Sequence, residues 1–208
     1  MKQVTKLEKL ENHSYFNTET LSQLTDLSGN SLYKNISRWV DQGILINLKK
    51  GLYITKTFYD KQNKTSYLEF ISNKLRYPSY LSLEYVLNKN QVLTESVYAF
   101  TSVTQKSTRL YTNKLGVFSY KNISEKLFTG YTILNEGTYE IAMASKSKAL
   151  FDYIYLKLYR NTNITKSTID DLRLNLDGYT KKDREEFAIY CNILQIKKFN
   201  GLDQLVFN

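Results

Sequence analysis

An α+β fold is what the hydrophobic pattern of these 208 residues predicts, and three observations carry the prediction. Apart from a hairpin pattern at residues 44–54, apolar residues recur at helical spacing up to about residue 90. Between residues 96 and 143 they fall into short β-branched and aromatic runs of strand type, and from Ser145 the helical period returns. The expected layout is a small, mainly helical domain closed by a two-stranded hairpin over residues 1–58, followed by an α+β domain with a mainly antiparallel sheet over residues 59–208.

Residues 4–11 predict a first short amphipathic helix, with Val4, Leu7 and Leu10, or Leu7 and Glu11, on successive turns. A second helix begins at Asn17 or Thr18, either of which can cap it, and turns Leu21 and Leu24 inward. Residues 25–30 then turn the chain into a third helix. There Leu32, Ile36, Trp39 and Val40 fall at i, i+4, i+7 and i+8 and line one face. Ser28, Asn30 and Ser31 offer oxygens for its N-cap, and Gly43 supplies a left-handed stop. Two short apolar runs follow, Ile44–Ile46 and Leu52–Ile54, on either side of Leu48-Lys49-Lys50-Gly51. Gly51 can take the positive φ of a tight hairpin.

Three helices and a basic-tipped hairpin in direct succession form the pattern of a winged helix-turn-helix ending near Lys56. The face of the third helix opposite its apolar stripe carries Tyr33, Lys34, Ser37 and Arg38. With Asn30 and Ser31 at the helix start, these are the predicted contacts to phosphates and base edges of double-stranded DNA. Lys49 and Lys50 are the predicted phosphate contacts of the wing. Each element alone favours the plainer reading, a solvated surface helix and an ordinary basic hairpin. Their order favours nucleic-acid binding.

Residues 57–66 are polar and weakly periodic, and the domain boundary is expected there. Tyr67, Leu68, Ile71 and Leu75 continue at helical spacing until Tyr77-Pro78. Ser79–Ser82 is expected to lead into another helix, with Leu83, Val86 and Leu87 inward. Strands are predicted at 96–103, 108–112, 117–123, 131–134 and 138–143, with a hairpin turn at Asn135-Glu136-Gly137. A helix from Ser145 places Ala149, Leu150, Tyr153, Ile154, Lys157 and Leu158 at helical spacing. Two further helical stretches cover 168–174 and 181–194, the second with Asp183, Glu185 and Glu186 near its start.

A formal net charge of +9 favours an anionic partner and also aids solubility. No window approaches the roughly 18 apolar residues of a membrane span. The first sixteen residues lack the apolar core of a signal peptide. Cys191, the one cysteine, cannot form an internal disulfide and reads as a small buried apolar residue. A cytoplasmic protein is expected. His13 has no partner at metal-ligand spacing, and no glycine-rich phosphate loop occurs, so no cofactor or metal is expected. Ser145 and Lys148 match the S-x-x-K spacing of serine hydrolases, but the companion S-D-N and K-T-G segments are absent. Ser145 is therefore expected to cap its helix, with Lys148 on the exposed face. Asp170, Asp171 and Asp177 read as acids of a solvated surface, and no enzymatic activity is expected.

Several segments together resemble a known family: Lys50-Gly51-Leu52-Tyr53, Tyr80-Leu81-Ser82-Leu83-Glu84-Tyr85, Tyr98–Thr104, Phe128-Thr129-Gly130, Ile141-Ala142 and Lys148-Ala149-Leu150-Phe151-Asp152. In order and spacing the chain resembles the AbiEi-like antitoxins of type IV toxin–antitoxin systems. The resemblance implies a repressor that binds its own operator, as an oligomer or otherwise. It also implies a C-terminal domain that counters a functionally linked toxin of the nucleotidyltransferase type, whether or not the two touch. There are two departures. Lys50 stands where the family usually has arginine, which keeps the charge and loses the bidentate fork. Ala144-Ser145-Lys146-Ser147 stands where proline and glutamate often precede the last motif. The alternative, from another class, is a protein-interaction module or general regulator without a toxin partner.

Overall fold

The computed structural model describes residues 2–207 and is of mixed α and β structure. The chain divides into two compact units. The first runs to Tyr67 and also takes in Tyr111–Gly116, and the second comprises Leu68–Leu110 and the chain from Val117 onward. Among the described residues no helix is long and apolar enough to cross a membrane.

In the first unit, α1 (Lys2–Leu7) tightens into a 3-10 turn at Glu8–Leu10. Leu7 and Leu10 are buried, but Val4, expected beside them, is exposed. The tightening breaks the α-helical register that would bring Val4 round to Leu10. A two-residue strand, β1 (Phe16–Asn17), precedes α2 (Thr18–Thr25). Asn17 caps α2, its Oδ1 accepting the Thr20 N–H at 2.8 Å. Next come α3 (Gly29–Asp41), β2 (Leu45–Lys49) and β3 (Leu52–Thr55), the strands ordered β1-β3-β2 with antiparallel pairing. Leu32, Ile36 and Trp39 of α3 close a core with Leu7, Leu10, Phe16, Leu21, Leu45 and Tyr53.

The polar stretch after β3 is helical and belongs to this unit. Thr55 caps α4 (Lys56–Asp60) by accepting the Phe58 N–H at 3.1 Å. Phe58 is buried with its ring edge-on to Tyr67 at 5.7 Å, and the Tyr67 hydroxyl donates to the Ser14 carbonyl at 2.8 Å. Two aromatic anchors thus carry the first unit some ten residues past the point where the sequence pattern of the hairpin ends.

Tyr67 lies on α5 (Lys64–Leu75), whose Tyr67, Leu68, Ile71 and Leu75 are buried as their spacing requires. Ser79–Leu81 leads into a helix as expected, but is itself a strand, β4, which the sequence pattern did not show. Three residues carry no readable period, and burial on both faces removes the polar–apolar alternation. The helix α6 (Leu83–Lys89) follows, with Leu83, Val86 and Leu87 inward. The predicted strands then appear as β5 (Ala99–Thr104), β6 (Arg109–Asn113), β7 (Gly116–Asn122), β8 (Tyr131–Glu136) and β9 (Tyr139–Ala144).

The six-stranded sheet has the order β6-β7-β5-β4-β9-β8. It is mixed: β5–β7 and β4–β9 are parallel, β4–β5 and β8–β9 antiparallel. Of the parallel neighbours, β4 and β9 are far apart in sequence, Leu81 facing Met143, and β5 and β7 are separated by β6, so no local turn signal marks either pairing. The hairpin β8–β9 turns at Gly137, with φ +64°, as its turn residues require.

Four α-helices, with a 3-10 turn at Lys197–Phe199 before the last, complete the described residues. The first, α7 (Lys146–Leu158), is buried over most of its circumference, although Lys157, which recurs at helical spacing with its apolar residues, is exposed. Next, α8 (Lys166–Asp170) begins two residues earlier than expected, because Thr165 and Thr168 form a capping box there. A second box, Thr180 with Asp183, starts α9 (Lys181–Leu194). The last, α10 (Leu202–Phe207), was not foreseen. It buries Leu202 and Val206 and sets Phe207 edge-on to Phe187.

The core of the second unit encloses an ion pair. Ser145 caps α7, its Oγ accepting the Lys148 N–H at 3.0 Å, as expected. Lys148, however, is not on the exposed face: it is fully buried, and so is Asp152, to which its ammonium donates. The helix is sealed on all sides at this level, so its Lys-to-Asp pair at i, i+4 turns inward. Asp152 also accepts from the Tyr80 hydroxyl at 3.0 Å and the Ser82 hydroxyl at 2.8 Å. The rings of Tyr80, Phe151 and Tyr190 surround the ammonium at 5.7, 5.1 and 5.3 Å. Burial pushes the Asp152 carboxyl up and the Lys148 ammonium down, and their mutual attraction opposes both shifts. Gly130, at φ +74°, lies against this pair. A Cβ there would overlap the Tyr190 hydroxyl and come within 2.9 Å of Lys148 Cγ.

Candidate nucleic-acid interface

The eight predicted contact residues all lie in the first unit. On α3 the packing stripe is buried, so the opposite face is open: Tyr33 is 59% exposed, and Lys34, Ser37 and Arg38 are exposed beside it. The sequence left out Asn35. Its Nδ2 donates to the Ser31 carbonyl at 2.9 Å, and its Oδ1 accepts from Arg38 Nη2 at 2.9 Å. The guanidinium is therefore held along the helix, with further N–H groups left to meet an acceptor. A visible signal was the i, i+3 spacing of Asn35 and Arg38.

Asn30 and Ser31 are exposed in the first turn. Neither is the cap. Ser28 occupies that position in extended backbone and its side chain makes no capping bond. The first backbone bond closing this helix runs from the Leu32 N–H to the Ser28 carbonyl at 3.2 Å, so the N–H groups of Gly29, Asn30 and Ser31 stand ahead of it. No acid lies in the first turn. Asp26, in the turn before the helix, pairs with Lys6 at 2.7 Å, which holds its carboxyl below the ordinary value. The local field at the helix start thus favours an anion.

In the hairpin, Gly51 has φ +79°, and the Thr18 N–H donates to its carbonyl at 3.2 Å, tying the turn to the start of α2. Lys50 is exposed at the turn. Lys49 is half-buried, its ammonium 5.9 Å from the centre of the Tyr111 ring. The two lysines are therefore not equivalent. The segment Tyr111–Gly116 adds a further polar tie, from Asn113 Nδ2 to the Leu48 carbonyl at 2.8 Å, and it carries the exposed Lys114. Nothing local in the sequence joins residues 65 positions apart.

No family model matches this sequence, and no curated protein matches it.

Proposed function

We propose that the chain is a DNA-binding transcriptional autorepressor and the antitoxin of a type IV toxin–antitoxin system, acting in the cytoplasm against a nucleotidyltransferase-type toxin and without enzymatic activity of its own. In this reading the first unit is a winged helix-turn-helix. Its recognition helix is α3, and β2–β3 is its wing. One observation carries the DNA reading: α3 buries Leu32, Ile36 and Trp39 and turns Tyr33, Lys34, Ser37 and Arg38 outward, directly before a turn tipped by Lys50. Arg38, held by Asn35, is the base-reading candidate. Lys34 and Lys50 are the phosphate contacts.

The antitoxin half of the reading rests on the family resemblance. Three of the resembling segments, around Tyr80, Gly130 and Lys148, meet at the buried Lys148–Asp152 pair. That convergence supports treating them as parts of one pattern. The test has two arms. Full-length protein should retard DNA from upstream of its own gene more strongly than random DNA of the same length. Co-expression should rescue cells from a nucleotidyltransferase encoded beside it. Equal retardation of both DNAs removes the autorepressor reading, and failure of rescue removes the antitoxin reading.

A protein-interaction module is favoured by a separate observation. The edge strand β8 is exposed along its whole length, with Tyr131, Ile133 and Leu134 among its residues. An uncovered edge of this kind can accept a partner strand. Pull-down of a partner that a proline at Ile133 abolishes, with no DNA retardation by the unmodified protein, is the result this second reading expects.

A further inference from the structure

We propose that a cavity in the second unit binds a nucleoside phosphate. The cavity, of about 740 Å³, lies between the C-terminal half of α7 and the end of β7. That is the size of a small-molecule site and larger than an inorganic anion needs.

The charges around it are unbalanced. Lys121, Lys157 and Arg160 face the cavity against one carboxylate, Glu84, which leaves two positive charges, three minus one. Lys157 is partly spoken for, 3.8 Å from Glu84 with its ammonium 5.4 Å from the centre of the Tyr153 ring. The side chains of Lys121 and Arg160 are exposed and have no ion-pair or hydrogen-bond partner among the described residues. Cations near a helix C-terminus often serve only to balance its dipole. Here Lys198 fills that role, since its ammonium donates to the carbonyls of Tyr159 and Asn161 at the end of α7. The surplus on the cavity wall is therefore available to a bound anion, and a concave wall focuses its field.

The remaining surface is apolar and aromatic. Leu83, Ile123 and Tyr155 are buried in the floor, and Tyr159 stands half-exposed at the edge. A flat base can cover this floor and pack on Tyr159, while its phosphates meet Lys121 and Arg160. Glu84, out of place in a site for a bare anion, can accept from ribose hydroxyls. An inorganic phosphate would leave both the floor and Glu84 unused.

The inference does not depend on the DNA-binding reading. The experiment is isothermal titration of the full-length protein at physiological ionic strength with ATP, AMP and tripolyphosphate. ATP is expected to bind with Kd below about 1 mM. Arg160→Gln and Lys121→Gln should each weaken it by about tenfold or more, the scale of one charge-assisted hydrogen bond. Both side chains are exposed, so thermal unfolding of the variants should match that of the parent. Tripolyphosphate should bind more weakly than ATP. Absence of ATP binding, binding that neither substitution weakens, or equal binding of ATP and tripolyphosphate would overturn the proposal.

Discussion

Replacing Lys148 by Met tests the buried pair directly. Met matches the lysine stem in length and keeps favourable contacts with the three surrounding rings, so the packing change is small. What remains is Asp152, fully buried, with only the Tyr80 and Ser82 hydroxyls donating to it among the described residues. Losing one partner of a buried pair costs about 3–5 kcal/mol. An independent bound comes from the carboxyl itself, which can escape its isolation by taking a proton. Protonating a group whose ordinary value is 3.8 at about pH 7 costs about 4 kcal/mol, and at about pH 5 only about 1.6 kcal/mol, at roughly 1.36 kcal/mol per unit. In the variant the folded-state value of Asp152 rises, since burial remains and the lysine's opposing attraction is gone. Between 3.8 and that raised value the folded variant holds a proton that the unfolded chain has released. Its stability therefore falls as pH rises through this window and recovers in acid. Urea unfolding followed by circular dichroism should show a deficit against the parent of about 4 kcal/mol near pH 7, shrinking to below about 2 kcal/mol near pH 5. Adding Asp152→Asn to the Met variant removes the buried charge and should restore most of the loss. A deficit below about 1 kcal/mol near pH 7, or one that grows on acidification, would refute the reasoning.

The other expectations concern the two surfaces and the boundary. Arg38→Lys should lose on the order of 1–3 kcal/mol on the preferred operator and much less on random DNA, measured by competition anisotropy, because lysine cannot make the bidentate guanine contact. Lys50→Ala and Lys114→Ala should each lower the slope of log affinity against log salt by about one, with Lys49→Ala lowering it less because its ammonium is turned to Tyr111. Gly130→Ala should destabilise by at least about 2 kcal/mol, since φ is +74° and the new Cβ meets Tyr190 and Lys148; a melting temperature equal to the parent's would contradict it. A fragment of residues 1–58 should melt below one of residues 1–67, because the shorter piece lacks Tyr67 and its bond to Ser14.

The sequence discloses what its periods can carry. The stripe of Leu32, Ile36 and Trp39 identifies α3, and the face opposite it follows by geometry, so Tyr33, Lys34, Ser37 and Arg38 are found without a structure. The strands β1 and β4 are two and three residues long, too short for alternation to show. The parallel pairing of β4 with β9 joins distant segments and that of β5 with β7 skips the strand between them, and the hydrophobic pattern is silent on which strands pair. Lys148 misleads because lysine is so rarely buried that exposure is the default reading. The correct reading needed Asp152 one turn on, together with a helix whose remaining positions at that level are all buried. Asn35 and Lys114 are missed for opposite reasons. Asn35 has a purely local partner that its type does not advertise, and Lys114 owes its place to a contact 65 residues away in sequence.

The two units treat their polar groups in opposite ways, and this decides how mutations can be interpreted. On α3 the charged and hydroxyl side chains face solvent, where substitution away from caps and cores typically changes stability by less than about 0.5 kcal/mol. Loss of DNA retardation in an Arg38 or Lys50 variant can therefore be read as lost contact. In the second unit Tyr80, Ser82, Lys148 and Asp152 are buried and mutually satisfied. Removing Asp152 leaves three donors without their acceptor, and removing any one donor strips a bond from the buried carboxylate, so the penalty falls on folding first. A variant at these four positions that fails to rescue cells from a toxin says nothing about toxin recognition until its unfolding has been measured. Contacts with a partner have to be sought on surfaces that folding does not consume, and the open edge of β8 is one.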